Sequence, residues 1–230
     1  MNQRSAVAVL AFLLMAVAFL TWRVLALRST AVAPPSPSPT TESSVTAAEA
    51  FVSAWTKDQQ ATYVATATVG LRGDGVKSET EEVRARRHGQ LMINRDSTIY
   101  YQHDGVTETC RQTPSEIFCT PPASTPTFSE QLNELNDLLI ETGRRYRTTL
   151  SEDPGCFDFE LDRSQGPATT LFGQAATYCF DPDGVLVSTL IQRQNREDFV
   201  EVSDVATTGL ESALTGLFPE PIIEQFLSAP

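Results

Sequence analysis

Four cysteines and two histidines are the residues of this chain whose chemistry depends most on position. Cys110 and Cys119 flank a hairpin whose loop runs from Thr113 to Glu116. Pairing Arg111 with Phe118 and Gln112 with Ile117 sets the two cysteines opposite one another, as a cross-strand disulfide requires. Cys156 and Cys179 lie on strands either side of a loop at 162–173, and antiparallel pairing with an index sum of 335 brings them opposite as well. Four cysteines allow three connectivities, and this local one is expected. The competing chemistry is a zinc site, but spacings of 9, 37 and 23 contain no C-x-x-C pair, and neither His88 nor His103 belongs to a matching motif. The cluster Tyr100-Tyr101-Gln102-His103-Asp104 offers an acid and a base. A histidine just before a turn more commonly meets solvent, and no serine stands in a nucleophile-elbow context, so no catalytic residue and no enzyme is expected. Asp181-x-Asp183-Gly184 begins like a calcium loop without its later oxygen ligands and reads as a turn. Arg84, Arg86 and Arg87 with Glu79, Glu81 and Glu82 read as paired charges on an exposed strand, serving solubility. Neither a metal nor a cofactor is implied.

The remaining candidate chemistry is apolar. Tyr63, Ala65, Val69, Leu91, Ile93, Tyr101, Phe157, Phe159, Tyr178 and Val187 fall at alternating positions of successive strands and could line one side of a curved sheet. They make either an ordinary core or a ligand cavity. The small side chains of Ala65, Ala67 and Ala176 leave room on that side.

The elements that must position these residues are readable. Thr46 and Glu49 form a capping box ahead of Phe51, Val52 and Trp55 at helical spacing, and Thr127 and Glu130 form another ahead of Phe128, Leu132, Leu135, Leu138 and Leu139. Alternation from Thr62 to Leu71 predicts a long strand. Further strands are expected at about 77–87, 90–95, 98–103, 106–112, 116–120, 155–162, 174–181, 185–193 and 197–206. Asp104-Gly105 is a two-residue hairpin turn, and Asp181-Pro182-Asp183-Gly184 a type I turn with a glycine bulge. Residues 209–228, with two prolines among two apolar clusters, predict a covering flap.

Upstream, residues 6–22 form one apolar run between Arg4 and Arg23, extendable through Leu27, so residues 1–28 read as a signal-anchor that spans the membrane once. The only small-x-small site is Ala31-Val32-Ala33, and Pro34 follows it unfavourably for cleavage. Residues 29–44 form a Pro/Ser-rich linker, and residues 45–230 the extracytoplasmic domain in which all the cysteines fall. Setting aside Arg4, Arg23 and Arg28 leaves 14 basic against 29 acidic side chains, a net of −15 that argues against nucleic acid as a partner.

The order of elements resembles the LolA-like superfamily of lipoprotein carriers, including LppX/LprG-like envelope proteins of bacteria. The likeness rests on an opening helix, the strand ATYVATATVG, the hairpin bearing Cys110 and Cys119, a mid-chain helix, then GCFDF and ATYCFDPDGVLVS, over roughly residues 46–206. It implies an α+β fold, an antiparallel sheet curled into a half-barrel with helices covering its concave side. It also implies that a lipid or lipidated protein binds in the apolar hollow. The chain departs from those carriers in its apparent anchor and in having no lipid-attachment cysteine, which favours a tethered binding module. A protein-interaction or envelope-stress sensory module with no bound ligand is the alternative, its protein partner unknown.

Overall fold

The computed structural model describes residues 46–228 apart from 74, 114 and 115. The expected anchor at 1–28 and linker at 29–44 lie outside the described residues. Among the described residues, no helix is long and apolar enough to cross a membrane.

Helix α1 (Ala47–Gln60) opens on the expected capping box. The Thr46 hydroxyl accepts the Glu49 N–H at 3.3 Å and the Glu49 carboxylate accepts the Thr46 N–H at 2.8 Å. A meander follows: β1 (Tyr63–Gly73), β2 (Val76–Arg87), β3 (Gln90–Arg95), β4 (Thr98–His103), β5 (Val106–Gln112) and β6 (Ile117–Cys119). After the short β7 (Ala123–Ser124) comes α2 (Phe128–Leu139), capped in the same way by Thr127 and Glu130. The second meander is β8 (Tyr146–Leu150), β9 (Cys156–Leu161), β10 (Ala175–Phe180), β11 (Leu186–Gln192) and β12 (Glu197–Ala206). The flap expected at 209–228 is two helices, α3 (Leu210–Leu214) and α4 (Glu220–Ser228).

All twelve strands join one antiparallel sheet in the order β6-β5-β4-β3-β2-β1-β12-β11-β10-β9-β8, with β7 paired to β5. The sheet is not closed, since β6 and β8 stand at its ends. Register follows from turn chemistry. The β2–β3, β3–β4 and β4–β5 connections are two-residue turns through His88-Gly89, Asp96-Ser97 and Asp104-Gly105, and all six residues have φ between 47° and 84°.

Each of these turns pairs an odd residue with an even one, which decides what shares a face. Tyr63, Ala65, Ala67 and Val69 of β1 lie on one face with Glu82, Arg84 and Arg86 of β2, Leu91 and Ile93 of β3, and Val200 and Val202 of β12. Phe157, Phe159 and Tyr178 continue that face across β9 and β10, where α1 and α2 cover it. Val64, Val83, Ala85, Met92, Ile99 and Tyr101 lie on the other face, beneath Leu214, Phe218, Ile222, Ile223 and Phe226 from the C-terminal helices. The helices therefore cover opposite faces in the two halves of the sheet. This corrects the expectation that all of them close one concave side. The reason lies in β2–β4, whose apolar residues stand mainly at the positions of the second face. Arg87, on that face too, donates to the Phe226 carbonyl at 3.0 Å and to that of Leu227, terminating α4.

Both expected disulfides are present. Cys110 bonds Cys119 and Cys156 bonds Cys179, each joining directly opposed residues with Cα separations of 3.9 and 4.0 Å. Closing loops of this size contributes on the order of 3 kcal/mol each through lost freedom of the unfolded chain. With all four sulfurs so bonded, none is left as a thiolate for zinc. Gly155, at φ 77°, permits the second pairing, because a Cβ there would stand 2.3 Å from the Phe180 carbonyl oxygen.

Candidate functional site

The ten apolar candidates fall in five separate places. Phe157, Phe159 and Tyr178 are packed against Phe51 of α1, with ring centroids 5.6, 4.6 and 5.6 Å away, and belong to a filled aromatic core. Tyr101 lies on the opposite face from Leu91 and Ile93, beneath Phe226 at 6.4 Å between centroids, and its hydroxyl donates to Gln90 at 2.7 Å. Tyr63 and Ala65 pack with Val185, Val202 and Val205 near the sheet centre. Val69, Leu91 and Ile93 lie on the first face without belonging to the aromatic core; Leu91 and Ile93 are half-buried. Val187 stands at the bulge where β10 and β11 shift register.

On β1, β11 and β12, Val69, Leu71, Ile191 and Val200 line a pocket of about 490 Å³, and of the ten expected cavity residues Val69 alone belongs to its lining. Ser78, Thr80 and Thr189 and the charged Arg95, Asp96, Arg196 and Asp198 make up the polar part of its wall. A hollow of this size has the volume of a small-molecule site, with aliphatic side chains on its floor and polar and charged groups around them.

Charges reach the same face, and here the exposed-strand reading of β2 is corrected. Glu82 is fully buried, and its carboxylate accepts from Arg84 and from Arg95, the latter's Nε at 2.9 Å. Arg86 is buried beside Asp58 of α1, Nε to Oδ2 3.4 Å, and donates to Gln59 at 2.8 Å. Asp58 also accepts the Tyr63 hydroxyl at 2.9 Å and the Leu186 N–H at 3.0 Å, which ties α1 to both halves of the sheet. Alternation in β2 carried this signal, because 82, 84 and 86 share the parity that faces Tyr63 and Ala65, whereas Glu79 and Glu81 fall on the other side.

Two buried phenols respond to this setting. Burial first, and the Asp58 carboxylate second, push the Tyr63 hydroxyl up to about 12. Burial, with Glu108 and Asp104 adding to it, pushes Tyr101 up to about 12 also. An unfolded tyrosine ionises near pH 10. The unfolded chain therefore loses these protons first, and the stability they contribute is present below about pH 10 and lost as pH climbs towards 12. Denaturation midpoints measured from pH 9 to 12 should fall over that window. Tyr63→Phe with Tyr101→Phe should flatten the fall, and an unchanged slope would contradict the assignment.

No protein-family profile matches the sequence, and no curated protein matches it significantly. Among solved structures, the chain is similar to a domain from Vibrio parahaemolyticus assigned as an outer membrane lipoprotein-sorting protein, with 12% identity over 78% of this chain and 97% of that one, at a TM-score of 0.31. It is also similar to a LolA superfamily protein from Nitrosomonas europaea, with 8% identity over 70% and 95% at 0.31. A DUF1329 family protein from Desulfovibrio piger gives 10% identity over 77% and 97% at 0.33. The likeness is weak and one of architecture.

Proposed function

We propose that this protein is an extracytoplasmic binding module, tethered to the membrane by its N-terminal segment, that holds a lipid or other hydrophobic ligand against the open part of its sheet. In this reading the sheet is a half-barrel and Val69, Leu71, Ile191 and Val200 contact the ligand. The observation that carries it is the pocket of about 490 Å³ over β1, β11 and β12, which adjoins the aromatic core through Ile191. Two disulfides with no free cysteine among the described residues support an oxidising compartment.

Native mass spectrometry of the full chain, followed by organic extraction, is the test. A bound lipid is expected. Leu71→Glu, at a half-buried wall position, is expected to weaken uptake of a fluorescent fatty acid at least tenfold while circular dichroism stays unchanged. An apo mass with no uptake of added lipid would sink the proposal. One observation favours a second reading as a protein-interaction module. The end strands β6 and β8 expose Phe118 at 60% and Leu150 at 68%, beside edges that could receive a partner's strand. Recovery of a membrane partner with a ligand-free domain would favour that alternative.

A further inference from the structure

A second hollow, of about 620 Å³, lies where the C-terminal end of α1, the β2–β3 and β4–β5 turns and the start of α2 converge. Its walls are tied together. The Gly89 N–H donates to the Gln59 carbonyl at 3.1 Å, joining the β2–β3 turn to α1, and the Thr125 N–H donates to the Gly105 carbonyl at 2.9 Å, joining the β4–β5 turn to the approach of α2.

The lining is unusual in chemistry. Five glutamines contribute to it, Gln59, Gln60, Gln90, Gln102 and Gln131, the side chain of Gln90 meeting Tyr101 on the other face of the sheet. Gln131 is held by a bond at one end only. It donates to the Pro126 carbonyl at 2.8 Å and keeps its acceptor, whereas Gln59 accepts from Arg86 and donates to Asp58 at 3.4 Å, and Gln90 accepts the Tyr101 hydroxyl. Among the described residues, no side-chain hydrogen bond engages Gln60 or Gln102, and the His103 Nε2 makes no hydrogen bond, with the Glu108 carboxylate 3.9 Å away. Phe128 forms an apolar wall, its ring fixed by stacking on Trp55 at 5.6 Å and 3° between planes.

Formal charge in this hollow is nearly balanced. Histidines aside, the lining has one cation, Arg86, already faced by Asp58, and one anion, Asp104. The α2 N-terminus adds no free anion site, because the Glu130 carboxylate already accepts the Thr127 N–H at 2.8 Å. Donors and acceptors together on planar amide groups, little net charge and one aromatic wall suit hydroxyl groups, each of which donates and accepts, on a ring with apolar C–H faces.

We infer that this hollow binds a neutral, polyhydroxylated ring, a sugar or cyclitol. The inference does not depend on the lipid reading, since the two hollows share no lining residue among those described.

The test is saturation-transfer NMR on the oxidised full chain, free of sugars and sugar detergents, with methyl glucoside, methyl mannoside, cellobiose, myo-inositol and inorganic phosphate as probes. Transfer to the ring protons of at least one polyol is expected. Gln60→Ala with Gln102→Ala, which breaks no internal hydrogen bond among the described residues, should weaken that binding at least tenfold. Leu71→Glu should leave it unchanged, which separates this site from the hydrophobic one. Absence of transfer to all four polyols would overturn the inference. So would binding that the double variant leaves intact, or phosphate, followed by its own resonance, binding more tightly than every polyol.

Discussion

Phe51→Ala is expected to lower the free energy of unfolding by about 3–5 kcal/mol, measured by denaturant titration with both disulfides intact. Phe51 is 1% exposed, and its ring meets those of Phe157, Phe159, Phe172, Tyr178 and Phe180 at centroid distances of 4.6–5.9 Å. Five aromatic neighbours cannot collapse into the void left by a phenyl group, so the cavity remains and its cost adds to the lost burial. The experiment also separates the two halves of the sheet. If the face over β9 and β10 were the ligand hollow, removing Phe51 would cost little and enlarge ligand uptake. A loss below about 1 kcal/mol accompanied by greater lipid capacity would move the binding site there.

Asp58→Ala should cost a similar amount, about 3–5 kcal/mol, because it leaves the buried Arg86 guanidinium without its counter-charge. The same change strands the Tyr63 hydroxyl and the Leu186 N–H, both of which now donate to this carboxylate. A companion variant isolates the charge. Asp58→Leu combined with Arg86→Met removes both ions and should recover most of the loss, as replacing a buried pair by apolar groups commonly does. Should the double variant be as unstable as Asp58→Ala, the hydrogen bonds rather than the ion pair carry the effect. The Tyr63 phenol reports independently, since without the adjacent carboxylate its ionisation should move down from about 12.

Much of this architecture was legible because local chemistry fixed it. Both capping boxes were visible as Thr-x-x-Glu, and both disulfides followed from hairpin arithmetic that the pairings of Cys110 with Cys119 and Cys156 with Cys179 reproduce. The faces were less legible. Grouping Tyr101 with Leu91 and Ile93 assumed that odd positions stay together from strand to strand. The two-residue turn at Asp96-Ser97 pairs Leu91 with Gln102 and turns Tyr101 to the other side. The strand bounds at 90–95 and 98–103 already implied this two-residue turn, and the change of face it imposes was not carried through. Strand β8 escaped notice for a different reason. Tyr146, Thr148 and Leu150 share a face, but only Tyr146 is buried, so the alternation of apolar and polar residues is faint. Buried charge was the hardest to read. Glu82, Arg84 and Arg86 look solvated in a run of charges, and only the strand they cross places them inward.

The pairing of β1 with both β2 and β12 has a consequence for the order of assembly. Every other strand contact in the main run of the sheet joins neighbours in the chain, so each meander can form from local hairpins. The β1–β12 ladder instead joins Val64 to Ala206 and Arg72 to Glu197, and it must wait until almost the whole domain has been made. Until then the nascent chain carries an open ladder along β1, a template that the β12 of another copy fits as well as its own. Exchange of the C-terminal strand and its two helices between copies is therefore the characteristic misassembly of this topology. Slow closure at high chain concentration is the condition that would produce it.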